Sequence, residues 1–213
     1  MNTAHTIQDE WLLSYAAGAL TPGRSLMVAA HAAYHDGLQE KVADAEAIGG
    51  ALLDSIDSSN VDQRVLEHLL DSLDDSPPEL AAPRADGVFP DPLAEFVGGG
   101  VESLKWRFMG PGMSNVRLWN GPNDERLWLL RARGGVAIPE HGHRGDEWTL
   151  VLKGAFSTAM GRFGVGDMDT ADDTIEHQPL IEQGEECICL VLTEGPIRFN
   201  SLAARMVQPL IGL

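Results

Sequence analysis

The sequence predicts an α+β protein: a small helical domain over residues 1–75, a proline-rich linker over 76–92 and a β-barrel over 93–213. Three observations carry this. Up to Leu73, apolar residues recur at helical spacing, three and four apart; from Val101 they gather in short runs rich in β-branched and aromatic residues. Between the two patterns Pro77, Pro78, Pro83, Pro90 and Pro92 fall among Asp, Ala and Gly, a composition that suits an extended connection. At 213 residues the chain has the length for two modest domains.

Asp9–Gly18 opens the helical part, with Trp11, Leu12 and Tyr15 on one face and Gly18 as its stop. Thr21-Pro22 starts the next helix, Thr as N-cap and Pro in the first turn. It continues from Leu26 to His35, and Gly37 ends or bends it. A third helix spans Leu38 to about Leu53 and is interrupted by Gly49-Gly50. Asn60 caps a fourth, in which Val61, Val65, Leu66, Leu69, Leu70 and Leu73 share one side. Four short helices bury little surface among themselves, so they need a metal, a partner or the barrel to lean on.

The β part is read from short runs parted by Gly, Pro and Asn turns. These are Leu104–Phe108, Asn115–Trp119, Arg126–Arg131, Trp148–Leu152, Phe156–Met160 and Cys187–Thr193. Many short strands of this kind build a barrel or sandwich. Trp106, Trp119, Trp128 and Trp148 are assigned to its core. Cys187 and Cys189 share a strand face about 6.6 Å apart at the backbone. That is near the upper limit for a disulfide, so they read as buried thiols.

One stretch carries chemistry. In Gly135–Gly154, His141 and His143 stand two apart and aim two imidazoles at one point if the chain is extended. The turn at Gly145 brings Glu147 back along the next strand. Two imidazoles and a carboxylate at this spacing suit a divalent transition metal.

Gly135, His141, His143, Glu147 and Gly154 occupy every fixed position of G-x5-H-x-H-x3-E-x6-G, and the stretch resembles the first signature motif of the cupin superfamily. The resemblance implies a small β-barrel with a metal inside and a further histidine from a second motif. His177, in Thr174–Pro179, is the candidate, although Asp172, Thr174 and Ile181 depart from that motif. The mixed N/O donor set suits zinc, iron, manganese or nickel.

A second resemblance covers nearly the whole chain. Tyr15–Gly18, an early His5, His31 after the Thr-Pro helix start, and a barrel behind a helical part resemble the ChrR-type zinc-binding anti-sigma factors. In that pattern His31 is followed by two cysteine positions, held here by His35 and Leu38. Imidazole can replace thiolate on zinc; leucine ligates nothing. A second zinc on His5, His31 and His35 would lack a protein ligand unless Asp36 or water supplied it, and the alternative is two surface histidines on a helix.

The resemblance implies a protein that holds an extracytoplasmic-function sigma factor off RNA polymerase and releases it under oxidative stress, from singlet oxygen or peroxide. Charge is compatible: residues 1–84 hold 14 Asp or Glu against four Lys or Arg, a net of −10 that suits a basic partner. The whole-chain charge of −17 disfavours direct binding to nucleic acid or anionic membrane. No apolar run approaches the roughly 20 residues of a membrane span, and Met-Asn-Thr-Ala-His lacks the layout of a signal peptide. Two cysteines are too few for a disulfide framework. These features place the protein in the cytoplasm, and barrel pairing could make it a homodimer. The rival reading is a metal-dependent cupin dioxygenase or another small-molecule enzyme, for which no residue names a substrate.

Overall fold

The computed structural model describes residues 5–73 and 87–199. Most of the linker expected over 76–92, and the chain beyond 199, lie outside these described residues.

Among the described residues five α-helices form: α1 (Asp9–Ala16), α2 (Pro22–Ala32), α3 (Asp36–Asp54), α4 (Gln63–Ser72) and α5 (Asp91–Val97). Gly18 follows α1 with φ +65°, a conformation that favours glycine. The Thr21 hydroxyl caps α2 by accepting from the Arg24 N–H at 3.3 Å. Three expectations are corrected. α2 stops at Ala32, so His35 stands as the N-cap of α3. α3 continues through Gly49-Gly50, because each glycine costs only about 1 kcal/mol in a helix interior. Asp62, not Asn60, caps α4, its Oδ1 accepting from the Arg64 N–H at 2.9 Å. α5 was not expected: it starts at the end of the expected linker and runs into the span assigned to the barrel. Its prolines occupy the N-cap and first turn, where proline is tolerated, and Gly98 ends it with φ +73°.

The strands are β1 (Arg107–Gly110), β2 (Met113–Asn120), β3 (Glu125–Ala132), β4 (His141–Gly142), β5 (Glu147–Lys153), β6 (Ala155–Thr158), β7 (Gly161–Gly164), β8 (Met168–Ala171), β9 (Glu176–His177), β10 (Leu180–Ile181), β11 (Cys187–Glu194) and β12 (Arg198–Phe199). They form a six-stranded sheet, β1-β2-β3-β11-β5-β8, and two three-stranded sheets, β10-β6-β7 and β12-β4-β9. All pairings between these strands are antiparallel.

The six-stranded sheet is covered on both faces, which is why β3, β5 and β11 read as nearly continuous apolar runs. On one face Leu127, Leu129, Trp148, Leu150, Ile188, Leu190 and Leu192 share a core with Leu12, Met27, Val28 and Leu93 of the helices. On the other, Trp128, Leu130, Val151, Cys189 and Val191 pack against Phe156, Phe163 and Phe199 of the small sheets. The alternation of side chains along each strand sends successive residues to opposite cores. So α1, α2 and α5 lean on the outer wall of the barrel. The contact is tight at Gly23, where an added Cβ would lie 2.8 Å from Glu125 Oε1 and from the Trp119 ring. Thr21 Oγ1 also donates to Glu125 Oε1 at 2.6 Å, tying the start of α2 to β3.

α4 is different. It has no buried residue, and Val65, Leu66, Leu69, Leu70 and Leu73 are all exposed, Leu73 to 77%. Ile48, Leu52 and Leu53 at the end of α3, and Ile56 after it, are exposed likewise.

Candidate metal centre

β4 and β9 pair so that His141 faces His177 across the ladder. His143 follows β4, and Glu147 begins β5 after the turn at Gly145. Ligand atoms of His141, His143, Glu147 and His177 all lie within 4.8 Å of one another. His177 Nε2 stands 3.1 Å from His141 Nε2, 3.3 Å from His143 Nε2 and 3.5 Å from Glu147 Oε1. His141, His143 and Glu147 are buried by their surroundings. Three imidazole nitrogens crowded on one point cannot all find partners among themselves, and His143 Nδ1 is buried without a hydrogen bond. Such a set fits a divalent cation.

The electrostatics agree. Burial lowers the pKa of His141 and of His143, with their neighbouring imidazoles adding to the effect and Glu147 opposing it. Burial alone would raise Glu147. The hydrogen bond from His177 and the charges of the three imidazoles outweigh it and hold the carboxyl down to about 2. For His177, burial lowers the pKa, but the bond and charge of Glu147 and the charge of Asp169 raise it above its ordinary value. An ionised carboxylate among mostly neutral imidazoles is the ligating state. His141 Nδ1 donates to the Pro139 carbonyl at 2.8 Å, which orients Nε2 into the cluster.

The helical histidines are arranged otherwise. The His5 N–H donates to Asp167 Oδ1 at 3.2 Å, its carbonyl accepts from the Met168 N–H, and its ring lies 4.4 Å from that of Phe163. His35 Nε2 donates to the Gly166 carbonyl at 2.8 Å. His31, 5.0 Å from the His35 ring, is fully buried, and neither of its nitrogens makes a hydrogen bond of good geometry. Burial, with the His35 charge adding, lowers its pKa to about 4, against opposition from Asp167 and the Gly166 carbonyl. Leu38 is buried in the core. So His31 is a core residue and not a surface one. Among the described residues, only the barrel set converges as a group of three or more metal-ligating side chains.

Comparison with known proteins agrees with both halves. Residues 97–197 match the ChrR cupin-like domain family. Over 210 residues the chain is 40% identical to the anti-sigma-E factor ChrR of Cereibacter sphaeroides, covering 98% of each chain. The chain belongs to the ChrR anti-sigma factor family. Its fold also matches the ChrR chain in a crystal structure of Rhodobacter sphaeroides SigE in complex with the anti-sigma ChrR. The TM-score is 0.77 and the identity 39%, over 89% of this chain and 98% of that one.

Within this member of the ChrR family, the barrel holds a cavity of about 40 Å³ beside the cluster. His141, Glu147 and His177 line it with Trp128, Phe156 and Phe199. Sequence reasoning missed the residues that support the cluster. Asp169 Oδ2 lies 3.7 Å from His177 Nδ1, and the Thr149 hydroxyl donates to Glu147 Oε1 at 3.4 Å. Burial raises the pKa of Asp169, with Glu147 adding and His177 opposing. Met168–Ala171 is absent from the expected strands; once it pairs with β5, alternation puts Asp169 on the face of Ala171, opposite Glu147 and Thr149. The Cys187 and Cys189 thiols meet at 3.6 Å, both buried and free. Cys189 is held well above its ordinary pKa by the Cys187 hydrogen bond and by burial.

Proposed function

We propose that this chain is a cytoplasmic anti-sigma factor. It holds an extracytoplasmic-function sigma factor of the SigE kind through its helical part, and its barrel carries one zinc on His141, His143, Glu147 and His177. The observation that carries the reading is the 40% identity along 98% of the chain to a relative named as an anti-sigma-E factor. The fold match to a ChrR chain held in a SigE complex supports it.

The molecule supplies a surface for the task. The exposed apolar side chains of α4 and of the end of α3 form the kind of face that a monomer does not leave to solvent. An acidic helical part with an apolar stripe fits a basic protein that also offers apolar grooves. The proposed contact residues are Ile48, Leu52, Val65, Leu66, Leu69 and Leu73.

Zinc is preferred because the family resemblance implies it and a mixed N/O set suits it; iron, manganese and nickel are the alternatives. When bound, the ion would fix the three imidazoles and the carboxylate in one geometry. A second zinc on His5, His31 and His35 is not part of the proposal. His35 spends a ring nitrogen on Gly166, the His5 ring lies on Phe163, and Leu38 fills the core. Against the rival enzyme reading stands the cavity volume of about 40 Å³, room for about three waters and far below ordinary metabolite pockets. That size suits a small oxidant as the signal, in line with the oxidative stress response implied by the resemblance.

Capture of the tagged chain from its own host tests the proposal. Mass spectrometry should find a sigma factor at one per chain. A chain captured alone that turns over a substrate with its metal bound would refute it.

A further inference from the structure

The residues on either side of Glu147 grip the helical layer. Glu147 and Thr149 point into the barrel toward the cluster, and alternation sends Trp148 to the opposite face. There Trp148 meets Trp11 of α1 edge-on, with ring centroids 4.7 Å apart. Arg24 of α2 packs against both rings, its guanidinium carbon 4.7 Å from the Trp11 ring centre and 4.8 Å from that of Trp148. Arg24 is buried, and its Nη2 reaches Asp146 Oδ2 at 3.1 Å and Glu194 Oε1 at 2.6 Å. A buried guanidinium packed on two aromatic rings, with one nitrogen bonded to two half-buried carboxylates, is a directional contact.

The segment has little freedom on that side. The Glu194 N–H donates to the Asp146 carbonyl at 2.9 Å, and a Cβ at Gly145 would lie 2.9 Å from Glu194 Cβ. So residues 145–148 cannot shift without moving Asp146 and Trp148 against Arg24. One residue of the trio holds the metal cluster and its two neighbours hold α1 and α2.

We propose that Arg24 couples the barrel metal centre to the helical layer, so that the position of Glu147 sets how firmly α1 and α2 are held. This rests on the reading that the barrel binds zinc. Pinning Glu147 on the ion fixes residues 146 and 148, and through Arg24 and Trp11 it fixes the helices that precede the sigma-binding face. Removing the ion frees Glu147 and loosens the same grip. Arg24 is a positioning residue, since it touches neither the ion nor the cluster.

Amide hydrogen exchange on the full chain tests this, with zinc loaded and then stripped by chelator, and zinc equivalents counted alongside. In the wild type, stripping should speed exchange in Asp9–Ala16 and Pro22–Ala32 by about tenfold, within the usual span of coupling between sites. In Arg24→Met, which keeps the aliphatic stem, exchange there should be raised already and change less than about twofold on stripping. Zinc should remain at the wild-type count. Glu194→Gln removes one ion pair with less risk to folding, and its response to zinc should be at least halved. If both variants respond to zinc as the wild type does, or if the zinc-binding wild type shows no response in these helices, the coupling is refuted. No zinc bound by the wild type would instead overturn the metal reading, and the proposal would fall with it.

Discussion

Replacing His31 by leucine should stabilise the protein, and more so in acid. The imidazole is fully buried, and the Gly166 carbonyl that acts on it is already taken by His35 Nε2 at 2.8 Å, so neither His31 nitrogen makes a hydrogen bond of good geometry and the wild type carries most of their desolvation, a cost of about 1–3 kcal/mol. Leucine has similar volume and no polar atom. At pH 7.5 the variant should therefore be as stable as the wild type or up to about 2 kcal/mol more so. The pH dependence follows from the lowered pKa. Unfolded His31 takes a proton below about 6.5, whereas the folded residue stays neutral down to about 4. The unfolded state thus binds more protons throughout that window, and wild-type stability falls as pH drops through it. The loss amounts to about 3 kcal/mol by pH 4, and it is absent from His31→Leu. Urea unfolding of both proteins from pH 7.5 to 4 measures the difference, in which titration elsewhere cancels. A His31→Leu protein that is several kcal/mol less stable at pH 7.5, and that has lost a zinc, would refute the reasoning and show that His31 is a metal ligand.

Further outcomes follow from the same geometry. His141→Ala or Glu147→Gln should lower zinc from one per chain to none, measured by elemental analysis after dialysis, whereas His35→Ala should leave it at one. Gly23→Ala should destabilise by about 1–3 kcal/mol and lower the melting temperature by several degrees, because its Cβ would press on Glu125 and Trp119. Limited proteolysis should cut first between about 75 and 92, as the proline-rich sequence suggests. The pieces should still elute together, because α1 and α2 share a core with β3, β5 and β11; a pattern with no cut in that window would count against the linker.

The barrel cluster was legible because its ligands obey short-range rules: two residues along one extended strand, one across a tight turn. His177 required the family pattern, since its pairing with His141 is set by β4 and β9, two-residue strands with no periodic signal of their own. The long strands β2, β3, β5 and β11 were found within a few residues of their ends, whereas β7 to β10 and β12, two to four residues each, were not. α5 was lost to the prolines that start it. In the helical part, spacing put His31 and His35 on one face but could not tell whether that face met solvent, a metal or the barrel. The structure sets it against the Gly166–Asp167 turn, a contact between residues more than a hundred positions apart. Arg24 was invisible for the same reason. A lone arginine on a helix reads as solvated, and only the tertiary fold packs it against Trp11 and Trp148.

The central claim is that this chain grips a sigma factor through α4 and the end of α3. Calorimetric titration of the co-purifying sigma factor into the zinc-loaded chain, beside a Val65→Asp, Leu69→Asp double variant, tests it most directly. Both side chains are exposed in the free protein, so the variant should melt within about 2 °C of the wild type. The wild type should bind one sigma factor per chain, and the variant should bind about a hundredfold more weakly or not at all. Equal affinity in the two proteins, or no complex with the wild type, would contradict the account.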